Sequence, residues 1–370
     1  MGRSADTVSL DDIFKSSEAV TFNNIFESSE EITLTSFKDI EEKTPEYLVA
    51  DYIPKSAITV IAGEGGIGKT SLYCAIAAAI SSGQTPFLIQ SNNTHRRCNK
   101  SEPQSVVIFS GEDSPEHVLK KRLRMNGACV ENIYTIAQGD KNFKNIKFDS
   151  DFLKQLIAKY KPTLCIFDPV QSFIPTFLKM SERNAMRQCL QPLIGLAENY
   201  GTTFIIVIHA NKMSGASGRK RMADSSDFWD IARSVLMVGE TKDKGIRYLS
   251  HEKSSYGLQG QTVLFSIGDG GSIQFEGYSE LKDRDFITEL EQARRYAPAK
   301  EDTKSMILSF LNDGEKSVSE LDEYLSAHSA SKSTARRAKE ELKDAGIVKY
   351  RSEGYGKEKR YYIATVQKDK

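Results

Sequence analysis

The chain has 370 residues, enough for one large core and one small accessory domain. Fifty basic side chains balance fifty acidic ones, so the charge of the whole chain predicts no partner. No apolar run approaches the ~20 residues of a membrane helix, and the acidic N-terminus lacks a signal-peptide core, so a cytoplasmic protein without a membrane partner is expected. Charge is uneven locally. Residues 1–50 hold 4 basic and 11 acidic side chains, whereas residues 331–360 hold 10 basic and 5 acidic. The two ends therefore suit different partners. The five cysteines form no Cys-x-x-Cys and read as reduced thiols. His95 and Cys98 share a polar loop, but two ligands fall short of a zinc site.

Residues 1–45 are polar and contain a repeat of period 12, Asp11 to Thr21 and again Asn23 to Thr33. Each copy carries an Ile-Phe pair, Ile13-Phe14 and Ile25-Phe26. A low-hydrophobicity leader or an arm with apolar anchors for a protein partner both fit. From Tyr47 onward, apolar runs without polar alternation predict buried strands at 57–62, 105–110, 163–167, 203–208 and 234–238. Helical patterns at 70–82, 115–126, 150–160 and 182–200 separate them. This alternation predicts an α/β fold with a mostly parallel sheet over 46–280. Further edge strands are expected at 246–251 and 262–267. A helical connector is expected at 281–301, bracketed by Gly268–Gly271 and Pro298, before a small C-terminal domain at 302–366.

The segment Gly63, Glu64, Gly65, Gly66, Ile67, Gly68, Lys69, Thr70 follows a predicted strand and opens an Ala-rich helix, with Ser71 next in line. It fits G-x-x-x-x-G-K-[ST] in the correct context, so ATP and Mg²⁺ are the expected ligands. Glycines let backbone N–H groups approach phosphates at a helix N-terminus. Lys69 would contact the β- and γ-phosphates, and the Thr70 hydroxyl would ligate Mg²⁺. Asp168 ends a buried strand where ligands bind in parallel sheets, which suits a second metal-side carboxylate; a turn or cap role is the alternative. Glu112 ends another such run and suits activation of a water, against a purely capping role for Glu112-Asp113.

The runs Ile53 to Thr70, Phe109 to Ser114, Ile166 to Ile174, Ile206 to Lys212 and Asp227 to Val235 resemble the RepA-like AAA ATPases of the RecA/DnaB superfamily. The resemblance spans roughly residues 45–270, with the motifs in family order. It implies a RecA-like core assembled as a hexameric homo-oligomer with ATP between subunits. It also implies Glu112 as catalytic glutamate, Asp168 as the Mg²⁺-associated aspartate and His209 as a sensor of the γ-phosphate. Arg233 and Lys253 stand where such proteins have basic fingers. Ser255 replaces a second basic residue two positions after the lysine.

Lys212 to Arg221 is a Gly/Ser-rich segment with Lys212, Arg219, Lys220 and Arg221, suited to phosphate contacts without base reading, or to a solvated surface. The C-terminal segment resembles a winged helix-turn-helix: helices at 303–311, 318–327 and 333–344, then a hairpin around Gly354-Tyr355-Gly356. Lys332, Arg336, Arg337 and Lys339 would lie on its recognition helix, and Lys357, Lys359 and Arg360 on its wing. The expected partner is DNA, as single strands and as an origin duplex. The function expected is a ring-forming replicative helicase of a plasmid, phage or integrated element. A DNA-stimulated loader or recombination-type ATPase, and an ATP-switched DNA-binding regulator, are the alternatives.

Overall fold

The computed structural model describes residues 34–89, 102–180, 182–211, 216–355 and 359–366. Both Ile-Phe pairs, His95, Cys98, Lys212 and Lys357 lie outside them. Two units separate, Met1–Thr44 and Pro45–Lys370. The described part of the first holds a single short helical turn, Phe37–Asp39, with Leu34 and Phe37 exposed.

In the second unit β1 (Tyr47–Val49) and β2 (Ile53–Pro54) pair antiparallel. The next elements in chain order are β3 (Ile58–Gly63), α1 (Lys69–Ser82), β4 (Val106–Ser110), α2 (Lys120–Met125) and β5 (Ile133–Tyr134). Then follow α3 (Asp151–Tyr160), β6 (Leu164–Asp168), α4 (Arg183–Tyr200), β7 (Thr203–His209), α5 (Ser226–Ile231) and β8 (Ser234–Glu240). The ATPase-like region ends with β9 (Arg247–Ser254), β10 (Thr262–Ile267) and β11 (Ile273–Ser279). These strands form one sheet in the order β11-β10-β9-β8-β3-β7-β6-β4-β5. From β8 to β5 all neighbours are parallel, and β9, β10 and β11 add antiparallel at one edge. The expected α/β class with a mostly parallel sheet is the fold observed.

Period-two geometry explains why the strands are apolar throughout. On one face Val60, Ala62, Phe109, Phe167, Ile206 and Met237 meet α3 and α4. On the other Ile61, Ile108, Ile166, Val207 and Val238 meet α1 and α2. α1 is buried on nearly every side, so its Ala-rich sequence is what lets it lie close to the sheet. Ser150 caps α3 by accepting the Leu153 N–H at 3.2 Å, which fixes where that helix begins.

α6 (Asp283–Phe310) corrects the expected connector. The interval placed between two breakers holds β11, and the connector and the helix expected at 303–311 are one continuous helix. A proline removes one ladder bond, but strong helix formers on both sides keep the pattern going. Pro192 lies inside α4 in the same way. After α6 come β12 (Lys316–Ser317), α7 (Val318–Ala327), α8 (Lys332–Asp344), β13 (Val348–Glu353) and β14 (Arg360–Thr365). The last three strands pair in the order β12-β14-β13. A separate apolar cluster, including Ile307, Leu321, Leu325, Ala338, Leu342 and Ile363, holds these elements together.

Candidate nucleotide site

β3, inside the sheet, delivers the chain to its carboxyl end at Gly63, and the loop 64–68 turns it into α1. Gly68 sits at φ +101°, a region side chains disfavour, and a Cβ there would lie 2.3 Å from Ile267 Cδ1. Gly66 is also left-handed, at φ +76°. Ile67 is buried and pins the loop from beneath. The first N–H groups of α1, which have no partner within the helix, face this loop.

Lys69 is 5% exposed. Its Nζ donates to the carbonyls of Gly63 at 2.9 Å and Glu64 at 2.8 Å, and lies 3.2 Å from His209 Nδ1. Burial pushes its pKa down to about 8, against the opposing pull of Asp168, Glu112 and Glu64. His209 Nε2 lies 3.5 Å from Glu112 Oε2. A charged Lys69 can only donate, so Nδ1 must accept, and Nε2 then carries the hydrogen that faces Glu112. A chain Lys69–His209–Glu112 results. β3 and β7 pair Gly63 with His209, which places the ring beside the loop.

Asp168 ends β6 beside Ser110 of β4, and its Oδ2 lies 3.5 Å from Thr70 Oγ1. Burial raises its pKa to about 6, and the Glu112 and Asp113 carboxylates add to the rise; the Tyr73 hydroxyl and Lys69 oppose it. The Tyr73 hydroxyl is buried beside Asp168 without a well-aligned hydrogen bond. Asp113 pairs with Arg122 at 3.1 Å, while the Glu112 side chain is 59% exposed and touches only the histidine among these groups. Of the two adjacent carboxylates, Glu112 is the one free to meet water. A magnesium nucleotide fits this donor set: a left-handed glycine cradle, a buried ammonium held, among the described residues, by loop carbonyls and a ring nitrogen, and a hydroxyl facing a carboxylate.

Other expected site residues lie elsewhere. The Arg233 N–H donates to the Ile58 carbonyl at 2.8 Å, at the end of β3 remote from the loop. Five residues of strand, roughly 17 Å, separate that end from Gly63. Lys253 pairs with Val235 in register at the same end, and its Nζ donates to the carbonyls of Trp229 and Asp230. Neither reaches the loop of its own chain.

Among the expected DNA contacts, Arg221 needs correction. It is 4% exposed and ion-paired with Asp283 at 2.6 Å and Glu64 at 3.7 Å, because a buried guanidinium demands carboxylate partners. Arg219 is exposed but paired with Asp230 at 2.7 Å, and Lys220 is exposed. Lys339 turns toward α7 and pairs with Asp322 at 2.7 Å, whereas Lys332, Arg336 and Arg337 lie on the exposed side of α8. Arg360 and Lys359 are exposed, as is the Tyr355 ring.

Arg247 was missed by sequence reasoning. Its Cδ lies 3.8 Å from a Cβ built on Gly68, and its buried Nε has no hydrogen-bond partner among the described residues. No motif marks it, since only strand pairing brings β9 to the loop. Tyr73 was also missed, although its position one turn after Thr70 was a usable signal.

Similar proteins are the DNA repair protein RadA of Bacillus subtilis (strain 168), 21% identical over 233 residues, and that of Treponema pallidum (strain Nichols), 24% identical over 221. These matches take in 62% and 59% of this chain but only 43% and 40% of those relatives. A solved ATPase domain of another protein is similar at 15% identity and a TM-score of 0.44, covering 62% of this chain and 86% of that one. The flagellar accessory protein FlaH from Methanocaldococcus jannaschii is similar at 14% identity and a TM-score of 0.41, covering 61% and 91%. A family model described as an AAA domain matches residues 27–215, more than half of the chain, in agreement with the motifs that resembled AAA ATPases. The chain belongs to this AAA-domain family.

Proposed function

We propose that this protein is a magnesium-dependent ATPase that drives movement on DNA, with a ring-forming helicase as its specific form. The observation that carries the reading is the chain Lys69–His209–Glu112 beside Thr70 and Asp168, which joins the phosphate loop to the group suited to activate water. Thr70 and Asp168 would hold magnesium, which when bound would supply charge neutralisation for phosphoryl transfer. Lys69 leaves the Gly63 and Glu64 carbonyls to bind phosphate oxygens. That move withdraws the donor from His209 Nδ1, so the ring is free to turn with Glu112. Glu112 orients and deprotonates the attacking water, a role typically contributing about 10²–10⁴ in rate.

The segment leading away from His209 carries Lys212, Arg219 and Lys220, whose charge suits phosphate contacts next to the sensing histidine. The elements from Thr303 onward suit a winged helix-turn-helix over 302–366, with the exposed basic side of α8 toward the major groove. Arg233 and Lys253, at the far sheet end, suit fingers donated to another copy in a hexameric ring, so turnover would depend on assembly. A second reading, a recombination-type ATPase or loader without unwinding, is supported by similarity to DNA repair protein RadA.

Purified wild type and Lys69→Ala would be compared for single-strand-stimulated ATP hydrolysis, oligomeric state and strand separation. The helicase form expects all three from wild type, and Lys69→Ala to lose turnover while still folding. Stimulated hydrolysis with no strand separation under any nucleotide selects the second reading. No ATP uptake by wild type with magnesium present overturns both.

A further inference from the structure

Arg221 and Asp283 are a buried charged pair that neither the nucleotide site nor a DNA surface absorbs. Arg221 Nη1 donates to Asp283 Oδ1 at 2.6 Å, while Nη2 reaches Glu64 Oε1 of the phosphate loop at 3.7 Å. Asp283 also accepts from the Gly218 N–H and from the Tyr248 hydroxyl, both at 2.8 Å. Its own N–H, the first of α6, donates to Glu252 Oε1 at 3.0 Å and Ser250 Oγ at 3.2 Å. Phe286, one turn on, stacks on Tyr248 with ring centroids 4.3 Å apart and planes 11° apart.

The backbone closes the same knot. The Arg221 carbonyl accepts the Asn211 N–H at 2.8 Å, and the Ala210 N–H donates to the Gly63 carbonyl at 2.9 Å. Arg221, on the segment that returns from His209, thus sets its guanidinium between Asp283 at the start of α6 and Glu64 of the phosphate loop, while Asp283 also accepts the Gly218 N–H of that segment. Stability alone gives weak reason for such a pair, since apolar packing often does as well. Geometry gives a better one. A planar fork hydrogen-bonded to Asp283 keeps its second nitrogen facing Glu64 at ion-pair distance, which a lysine ammonium on its flexible stem does not.

We infer that Arg221 and Asp283 are positioning residues that carry a change at Glu64 in the phosphate loop to the start of α6 and to the segment returning from His209. The inference rests on nucleotide occupying that loop. Two consequences of occupancy act at Glu64: Lys69 releases its carbonyl on turning to phosphate, and phosphate charge repels its carboxylate while attracting Arg221.

Hydrogen exchange of the full chain, with and without magnesium and a non-hydrolysable ATP analogue, tests this, with fluorescent-nucleotide titration alongside. In wild type, nucleotide should change exchange at the Gly218 and Asp283 amides by about threefold or more. Arg221→Lys keeps a charge against Asp283 but cannot also hold Glu64. It should fold and bind nucleotide with affinity within about threefold of wild type, yet lose the response over 283–293. Glu64→Gln removes the carboxylate charge at a half-exposed position and guards against misfolding of the first variant; read at nucleotide concentrations that the titration shows saturate it, it should lose the same response. A wild-type response in either folded variant overturns the inference, and so does nucleotide binding by wild type with no change at either amide. Absence of nucleotide binding in the titration removes the proposed function together with this link, so the two failures are distinguishable.

Discussion

Lys69 holds a positive charge where burial works against it, and nucleotide phosphates beside it would favour the charged form further. With its pKa near 8 in the free protein and higher beside phosphate, binding above that pH must take up a proton. Nucleotide affinity should therefore hold steady up to about pH 8 and fall by up to about tenfold per pH unit above it. Titration of a fluorescent nucleotide at several pH values checks this. Lys69→Arg, which stays charged, should bind more weakly but with a flatter profile. Gly68 makes a second expectation at this scale. Alanine there meets both the φ of +101° and the 2.3 Å clash with Ile267 Cδ1, so affinity should drop by about tenfold or more. Adding Ile267→Ala removes the clash but not the φ strain, and should restore affinity only in part. Both the lysine and the glycine were legible in the motif. Arg247 and the buried state of Arg221 were not, because each depends on partners far along the chain.

At the scale of elements, the aromatic cluster on one face of the sheet sets how α3 and α4 sit. Phe167 touches Phe109, Phe148, Phe173 and Phe204. Phe167→Ala should cost about 3–5 kcal/mol in denaturant unfolding, since the surrounding strands cannot collapse into the gap. His251 in β9 ties three elements together. Its Nδ1 accepts the Gly260 N–H at 2.8 Å, and its Nε2 faces Ser234 Oγ at 3.1 Å. Burial lowers its pKa to about 4, so the unfolded chain binds the extra proton between the ordinary value and that one. The stabilisation is complete above pH about 6.5 and is lost as pH falls toward 4, on the order of 3 kcal/mol in all. Denaturant midpoints at pH 7, 6, 5 and 4 should show this slope, and a His251→Asn variant should lack it. Sequence patterning located the long buried strands because they are apolar on both faces. It does not mark β11, where Ile273, Phe275 and the intervening polar residues alternate at period two between the expected breakers. Pro298 suggests a boundary by its residue type, yet α6 continues through that position.

For the whole molecule, a neutral total charge conceals a basic C-terminal region, and the exposed side of α8 carries Lys332, Arg336 and Arg337. If this face meets DNA phosphates, Lys332→Ala with Arg336→Ala should weaken duplex binding and lower the salt slope by about 1 per residue. ATP binding should be unaffected. Fluorescence anisotropy across salt concentrations reads both effects, and an unchanged slope would place DNA contacts elsewhere. The linear sequence by itself determined the phosphate loop, the parallel core and the carboxylates at its strand ends. Those features arise from local spacing and from burial on both faces, which composition records directly. Only the tertiary structure decided which charges are spent internally. Arg221 and Lys339 look like free cations in the sequence, but folding sets Asp283 and Asp322 against them, 62 and 17 residues away in the chain. A charge's availability depends on what the fold places within a few ångströms of it, and that distance is not written in any local pattern.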